Sequence, residues 1–472
     1  MPRVIRTLLA AGALAGAIVV GLPFYCGVRF EARFRDELAD LATASPYTVT
    51  LVSYRRGLFG ATADTQLEIA NPAAAAEHAP DTSQAALFPM RVLLHHRISH
   101  GPRLDGLRFA RMVTTPELPE SAPQSLAKLF DDQSPLTVSV DFGFDGAADA
   151  RLISPAGATT VATGDVATTV DTRLEWGGLD GHFRLARGAS TFTSTFLAPR
   201  VFVQHGEPQV VIDTISGTGD MFRGALSRAW LGSGAVAVDG IRVTTGTQSF
   251  SVEKLMMGST GSEEGGAVNS TITFSAARAV GAGETVEQPT LRVSFSNVDA
   301  VALREWDETA HAAGDLQDRL RQVSAAMKSA AAKLAPRRPI VAIEELSFRN
   351  ANGAAKLSGH VQYVGNGAIE SFSPRTDLDA KLAVELPTAL FDQLAAQKLK
   401  ADLRQQAAAN TVDAKPELAI EARLDAQARA GVAAMRQSFI DQNFLKVDGD
   451  HLTSNVEFHD GTLTVNGTPV PQ

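Results

Sequence analysis

The stretch Leu136-Thr-Val-Ser-Val-Asp-Phe-Gly-Phe144 decides the fold. Leu136, Val138, Val140, Phe142 and Phe144 alternate with polar or small residues, which places the apolar side chains on one face of an extended strand. The same period extends outward in both directions. Met90, Val92, Leu94 and Ile98 keep it upstream, and Val238, Ile241 and Val243 keep it downstream, with a turn expected at Asp239-Gly240. From Tyr47 to Val298 such runs are separated by clusters of Gly, Pro, Asn and Asp, the pattern of antiparallel hairpins. One apolar and one polar face implies sheets covered on a single side. Asn71–Ala86 and Thr115–Gln124 read as loops, and Gly258–Gly266 as a hairpin tip. A phosphate cradle is excluded at that tip, because no Gly-Lys-Ser/Thr follows and Glu263 and Glu264 would repel phosphate.

Beyond residue 298 the period changes. Ala300 to Leu334 carries Leu303, Trp306, Ala310, Ala313, Leu316, Leu320, Val323, Met327 and Leu334 at spacings of three and four. This predicts an amphipathic helix of about 50 Å, capped by Asp299 and stopped at Pro336-Arg337-Arg338-Pro339. Thr388 to Ala409 and Leu418 to Gln442 repeat the theme. Leu291–Val298 followed by a helix at Asp299, and Asp379–Leu386 followed by one at Thr388, form two strand-helix units. Hairpins are expected to turn at Asn352-Gly353 and Asp460-Gly461, dipeptides that tolerate positive φ.

The chain has 472 residues, a formal net charge of −9 and one cysteine, Cys26. The acidic balance argues against general nucleic-acid binding. A single cysteine excludes an internal disulfide and any CxxC zinc site. Leu8 to Val28 is almost uncharged and long enough, at about 1.5 Å per residue, to cross about 30 Å of hydrocarbon. It predicts an uncleaved signal anchor. Arg3 and Arg6 lie on the cytoplasmic side, and Phe24, Tyr25 and Phe30 form an interfacial belt. Ala15-Gly16-Ala17 is a poor cleavage site, since Val19, Val20 and Leu22 follow it. The bulky Pro23-Phe24-Tyr25 before Cys26 disfavours a lipoprotein site.

The expected architecture is therefore α+β and β-rich. Residues 1–28 form a tail and transmembrane helix, and 29–46 a membrane-proximal helix. Residues 47–298 form long antiparallel twisted sheet. Residues 299–472 supply strand-helix units and a C-terminal hairpin, with helices covering one sheet face and the whole continuous with 47–298.

Four short motifs stand in order along the chain: Gly27 with Glu31, Tyr54-Arg55-Arg56-Gly57-Leu58-Phe59, His100-Gly101-Pro102, and Gly461-Thr-Leu-Thr-Val-Asn466-Gly467. Together they resemble the YdgA-like family of bacterial proteins of unknown function. The resemblance implies an inner-membrane anchor and a β-rich periplasmic body that self-associates. It supplies no reaction, so no catalytic residue is carried over. Gly60-Ala61-Thr62 follows Phe59 where that family usually has a small hydroxyl residue.

The candidate chemistry is sparse. His95, His96 and His100 are the one histidine cluster, with His96 and His100 sharing a strand face. A metal site there needs further ligands, of which Asp105 is nearest in sequence, and no HExxH or Cys/His spacing supports it. His100-Gly101-Pro102 reads equally as the end of a strand. Tyr54-Arg55-Arg56-Gly57 offers arginine forks for a lipid phosphate or anionic polymer, or solvated arginines before a turn. Asn466 and Gly467 complete the motif positions. No nucleophile elbow, Walker loop or Rossmann fingerprint is present.

The leading expectation is a non-enzymatic, cofactor-free protein of the bacterial inner membrane. Its bulk lies in the periplasm, and it serves envelope binding or assembly, as a homodimer. A carrier of lipid or another hydrophobic ligand on an apolar sheet groove is the alternative, and an envelope hydrolase the second alternative.

Overall fold

The computed structural model describes residues 21–44, 47–69, 90–102, 108–118, 128–130, 133–163, 170–281, 283–311, 334–365, 373–410 and 418–470. Two compact units divide the chain, Met1–Thr247 with Arg304–Met327 and Gln248–Leu303 with Lys328–Gln472.

The first unit opens with helix α1 (Leu22–Ala44), followed by β1 (Tyr47–Arg56), β2 (Gly60–Ile69), β3 (Met90–His100), β4 (Ala110–Glu117), β5 (Thr137–Phe142) and β6 (Ala148–Ser154). Each strand pairs antiparallel with the next. Next come β7 (Gly157–Thr163), β8 (Val170–Trp176) and β9 (Leu179–Leu185). β7 pairs with β8 and β6 with β9, so β6–β7 and β8–β9 form one long bent hairpin. Its bend holds Trp176, whose Nε1 donates to Ser154 Oγ at 2.8 Å. β10 (Thr191–His205) lies along both β9 and β8, and β11 (Gln209–Arg223) and β12 (Trp230–Thr245) continue the meander.

The alternation of period two survives into the register. Phe142, Ala148, Leu185, Phe192 and Met221 are cross-strand partners in one apolar row. Val138, Leu152, Gly181, Phe196 and Gly217 form another. Gly217 is there to admit an aromatic ring, since a Cβ at that position would stand 2.1 Å from Phe196 Cε1. The opposite face is charged: Arg151 Nη2 donates to Asp180 Oδ2 at 2.8 Å. Over β1 to β4 the apolar face is covered by α1, whose Phe30 is buried with Ala61, Ala63, Ile98 and Ala110.

The second unit contains β13 (Gln248–Glu264), β14 (Ala267–Ser275), β15 (Arg278–Gly281), β16 (Glu284–Asp299), β17 (Ile340–Asn350), β18 (Gly353–Tyr363) and β19 (Leu378–Pro387). It ends with β20 (Lys446–Asp448), β21 (His451–His459), β22 (Thr462–Val465) and β23 (Thr468–Pro469). β19 pairs with β21, which brings the C-terminal hairpin into the sheet. Both expected hairpin turns are present: Gly353 has φ +119°, and Asp460 and Gly461 have φ +47° and +72°.

Helix α2 (Ala300–His311) starts at the expected cap. Asp299 Oδ1 accepts from the amides of Val301 at 3.0 Å and Ala302 at 2.9 Å, and Oδ2 from Arg337 Nε at 3.1 Å. Burial pushes the Asp299 carboxyl upward, but these donors outweigh it and hold the group below the usual range. Asp299→Ala is expected to cost about 1 kcal/mol, read as about fivefold faster hydrogen exchange at Val301 and Ala302. Unchanged exchange would show that the cap contributes nothing.

Several expectations are corrected. The transmembrane helix over Leu8–Val28 is not supported. Among the described residues no helix is long and apolar enough to cross a membrane. Leu22–Val28 instead belongs to α1, which carries Arg29, Glu31, Arg33, Arg35, Asp36 and Glu37 and packs on β1 to β4. Residues 8–20 of the expected span, and the tail 1–7 before it, lie outside the described residues. α1 runs continuously across residues 28 and 29, and Phe30 of the expected belt is a core residue at 5% exposure.

Asp239-Gly240 lies inside β12 rather than at a turn. Gly240 leaves space for Asp213, whose carboxylate pairs across the strands with Arg242 Nη2 at 2.9 Å. The positive φ expected of a turn falls instead at Gly246, just after the end of β12, where φ is +56°. Gly258–Glu264 likewise belongs to β13, with reversal only at Gly265-Gly266. Thr115–Glu117 is part of β4. Residues 71–86, 119–124 and 312–333 lie outside the described residues.

Helices α3 (Pro374–Asp377), α4 (Thr388–Asn410) and α5 (Leu418–Asp441) complete the unit. α4 and α5 pack chiefly on each other, with Phe391 edge-on to Phe439 at 6.4 Å and Arg436 paired to Asp392. α4 meets the sheet near β19 and β21, where Leu390 and Leu452 are buried. They do not cover the apolar face as expected, because Val341 and Val361 remain 48% and 44% exposed.

Candidate functional site

Three of the four motifs converge in the first unit. Glu31 on α1 accepts from Arg56 Nη1 at 2.8 Å and from Arg35 Nη2 at 3.0 Å. The Arg56 guanidinium also lies 5.5 Å over the Phe24 ring. Gly57 closes the β1–β2 turn through its amide to Gly60 O at 2.7 Å. His100 ends β3 at 2% exposure, and a Cβ at Gly27 would stand 2.6 Å from its Nδ1. Gly27 therefore seats the helix directly on the imidazole. Gly101, at φ +74°, turns the chain beneath Pro23, and half-buried Pro102 leads out.

This junction is structural in its visible contacts. Arg56 is committed to Glu31, while Arg55 is exposed. Among the described residues, the Tyr54 hydroxyl and both His100 ring nitrogens are buried without hydrogen-bond partners. Burial pushes the Tyr54 phenol up to about 12, and burial followed by the Arg56 charge lowers the His100 imidazole. Asn466 and Gly467 belong to the second unit. Asn466 Oδ1 accepts from the Asn455 amide at 2.9 Å, its Nδ2 donates to Asn443 O at 2.8 Å, and Gly467 has φ +82°.

The neighbouring histidines are tied as well. His96 is buried between Thr65 Oγ1 and Thr114 Oγ1, each at 2.8 Å, and burial lowers its pKa to about 4. His95 points to the polar face, where Asp64 and Glu117 each contact one ring nitrogen at 2.8 Å and raise its pKa. Asp105 lies outside the described residues, and among the described residues no group of three side chains is placed to hold a metal.

The open site lies further along the same helix. There α1 roofs a cavity of about 300 Å³. Phe30, Phe34 and Leu38 line it from α1, and Phe109, Met112, Phe142, Ala148 and Leu185 line it from the sheet. Phe30 meets Phe142 edge-on at 5.2 Å and stacks on Phe34 at 6.0 Å, so aromatic contacts fix the roof. Arg33, Glu37, Gly143 and Gly146 supply the polar rim. Such an apolar hollow with few polar groups matches the ordinary make-up of a small-molecule site. The motif search missed it because its lining is ordinary core sequence. The usable signal was Phe30, Phe34 and Leu38 at helical spacing, facing the Val140-to-Phe142 strand.

A charged pocket adjoins it, lined by Arg108, Asp141, Asp145, Asp149 and Arg184. Arg108 and Arg111 reach Asp141 at 3.3 and 3.8 Å, which balances that carboxylate.

The second unit has its own apolar trough of about 460 Å³. Two cross-strand rows form its floor: Val341, Val361, Ala380, Phe458 and Leu463, and Ile343, Gly359, Leu382 and Val456. On the other face of the same strands Lys381 pairs with Glu457 at 2.8 Å and His459 with Asp379 at 2.8 Å.

A model of the family described as bacterial protein of unknown function (DUF945) matches residues 4–472. No curated protein and no solved structure matches the chain.

Proposed function

The chain belongs to this bacterial family of unknown function, and from that premise we propose that it is a non-enzymatic binding protein for an apolar ligand. The observation that carries the reading is the cavity under α1, walled by Phe30, Phe34, Met112, Phe142 and Leu185. The trough of the second unit supports it, since Val341 and Val361 stay largely exposed in a patch of the kind that marks interaction surfaces. Against an enzyme stand the commitments of the polar groups: Arg56 to Glu31, His96 to two threonines, His95 to two carboxylates.

We place the protein in the bacterial envelope, as the YdgA-like resemblance of its motifs implies. Its single cysteine is buried and therefore compatible with an oxidising compartment. Recovery entirely with cytoplasmic proteins on cell fractionation would remove that placement.

An alkyl diazirine probe photolysed with the intact protein tests the binding reading. Labelling is expected on peptides containing Phe30 to Leu38 and Phe109 to Met112, with competition by unlabelled alkane-chain ligand. Uncompeted labelling spread over the surface would contradict it. The exposed trough gives self-association a specific footing as the second reading. In that case Val361→Glu converts a dimer into a monomer in sedimentation, while an already monomeric wild type removes it.

A further inference from the structure

We propose that the ligand of the α1 cavity is a single-tailed amphiphile with an anionic head, held at the rim by Arg33 and Arg187. The inference rests on the apolar-ligand reading and adds the chemistry of the head group. Gly146, in the turn between β5 and β6, has φ +83°. A Cβ there would stand 3.9 Å from Arg33 Nη1 and 3.7 Å from Arg187 Cγ, so the Arg33 guanidinium and the aliphatic stem of Arg187 both reach one glycine, which with Arg33 lines the cavity. The turn is fixed by the Gly143 amide to Ala147 O at 2.8 Å and the Gly146 amide to Gly143 O at 3.1 Å.

The nearby carboxylates do not neutralise both cations. Glu37 Oε1 lies 3.6 Å from Arg33 Nε, the edge away from the Nη1 that approaches Gly146. Asp145 Oδ1 accepts the Ala147 amide at 3.1 Å and caps its own turn. Arg187 has no ion pair among the described residues. An anion at the mouth gains charge-assisted bonds from planar guanidinium forks while its tail enters the hydrocarbon-lined interior. The apolar face continues beyond Leu185 through its cross-strand partner Phe192, a path for a tail longer than the cavity.

Calorimetric titration of the full chain with hexadecanoate, hexadecyl phosphate and hexadecanol, each below its aggregation concentration, tests this. An anionic probe is expected to bind about tenfold more tightly than hexadecanol. The double variant Arg33→Gln/Arg187→Gln is expected to abolish that margin, so that the anionic probes bind it no more tightly than hexadecanol does. A margin for the phosphate alone or the carboxylate alone identifies which head group is used and keeps the proposal. Equal binding of all three probes, or a margin that survives the double variant, overturns it while the apolar-ligand reading stands. Binding of none of them, hexadecanol included, overturns both.

Discussion

Acidification from pH 7 to pH 4 is expected to remove about 3 kcal/mol of unfolding free energy through His96 alone. The ring is buried between Thr65 and Thr114, and desolvation lowers its pKa from 6.5 to about 4. The folded protein therefore keeps it neutral while the unfolded chain binds a proton below about 6.5. Its contribution is complete above that pH and is lost as pH falls toward 4. His100, also lowered by burial, works in the same direction. His95 opposes it, since its carboxylate partners raise its pKa and favour the folded state in mild acid. Urea midpoints at pH 7 and pH 4.5 for wild type and His96→Gln provide the check, as glutamine can still bond both threonines. The variant should show a much shallower acid dependence; parallel curves would remove His96 as the cause.

Phe30→Ala is expected to cost about 3–5 kcal/mol, the range for emptying a buried aromatic site. Phe30 is the contact through which α1 reaches Ala61, Ala63, Ile98 and Ala110, and it touches Phe34 and Phe142. Its loss therefore loosens the helix and removes the roof of the cavity together. Phe30→Leu, which keeps most of the volume, should cost about 1 kcal/mol and retain ligand. Hydrogen exchange along α1 distinguishes the two variants. If Phe30→Ala left α1 protection and the urea midpoint unchanged, the helix would be held by other contacts.

The strands were legible because a period of two needs no tertiary information: Val138, Val140 and Phe142 lie on one face in any antiparallel register. The hairpins at Asn352-Gly353 and Asp460-Gly461 and the cap at Asp299 were legible for the same local reason. Asp239-Gly240 misled because a turn dipeptide inside a strand looks the same until its partner Asp213 is known. The apolar run ending at Val28 misled because its last residues continue into α1, whose Phe30 is buried against a sheet formed by later residues. The motif residues Gly27, Glu31, Arg56, His100 and Gly101 were found singly, but their convergence depends on where α1 lies on β1 to β3. The cavity was not read beforehand because hydrophobic lining such as Phe30, Phe34 and Leu38 has the same sequence signature as hydrophobic core.

Native mass spectrometry of the full chain, isolated without organic solvent, bears most directly on whether the α1 cavity is a ligand site. The expected spectrum carries a discrete adduct that organic extraction removes, that hexadecanoate restores, and that Ala148→Leu reduces by filling the cavity. The bare polypeptide mass before extraction, unchanged after incubation with hexadecanoate, would contradict it.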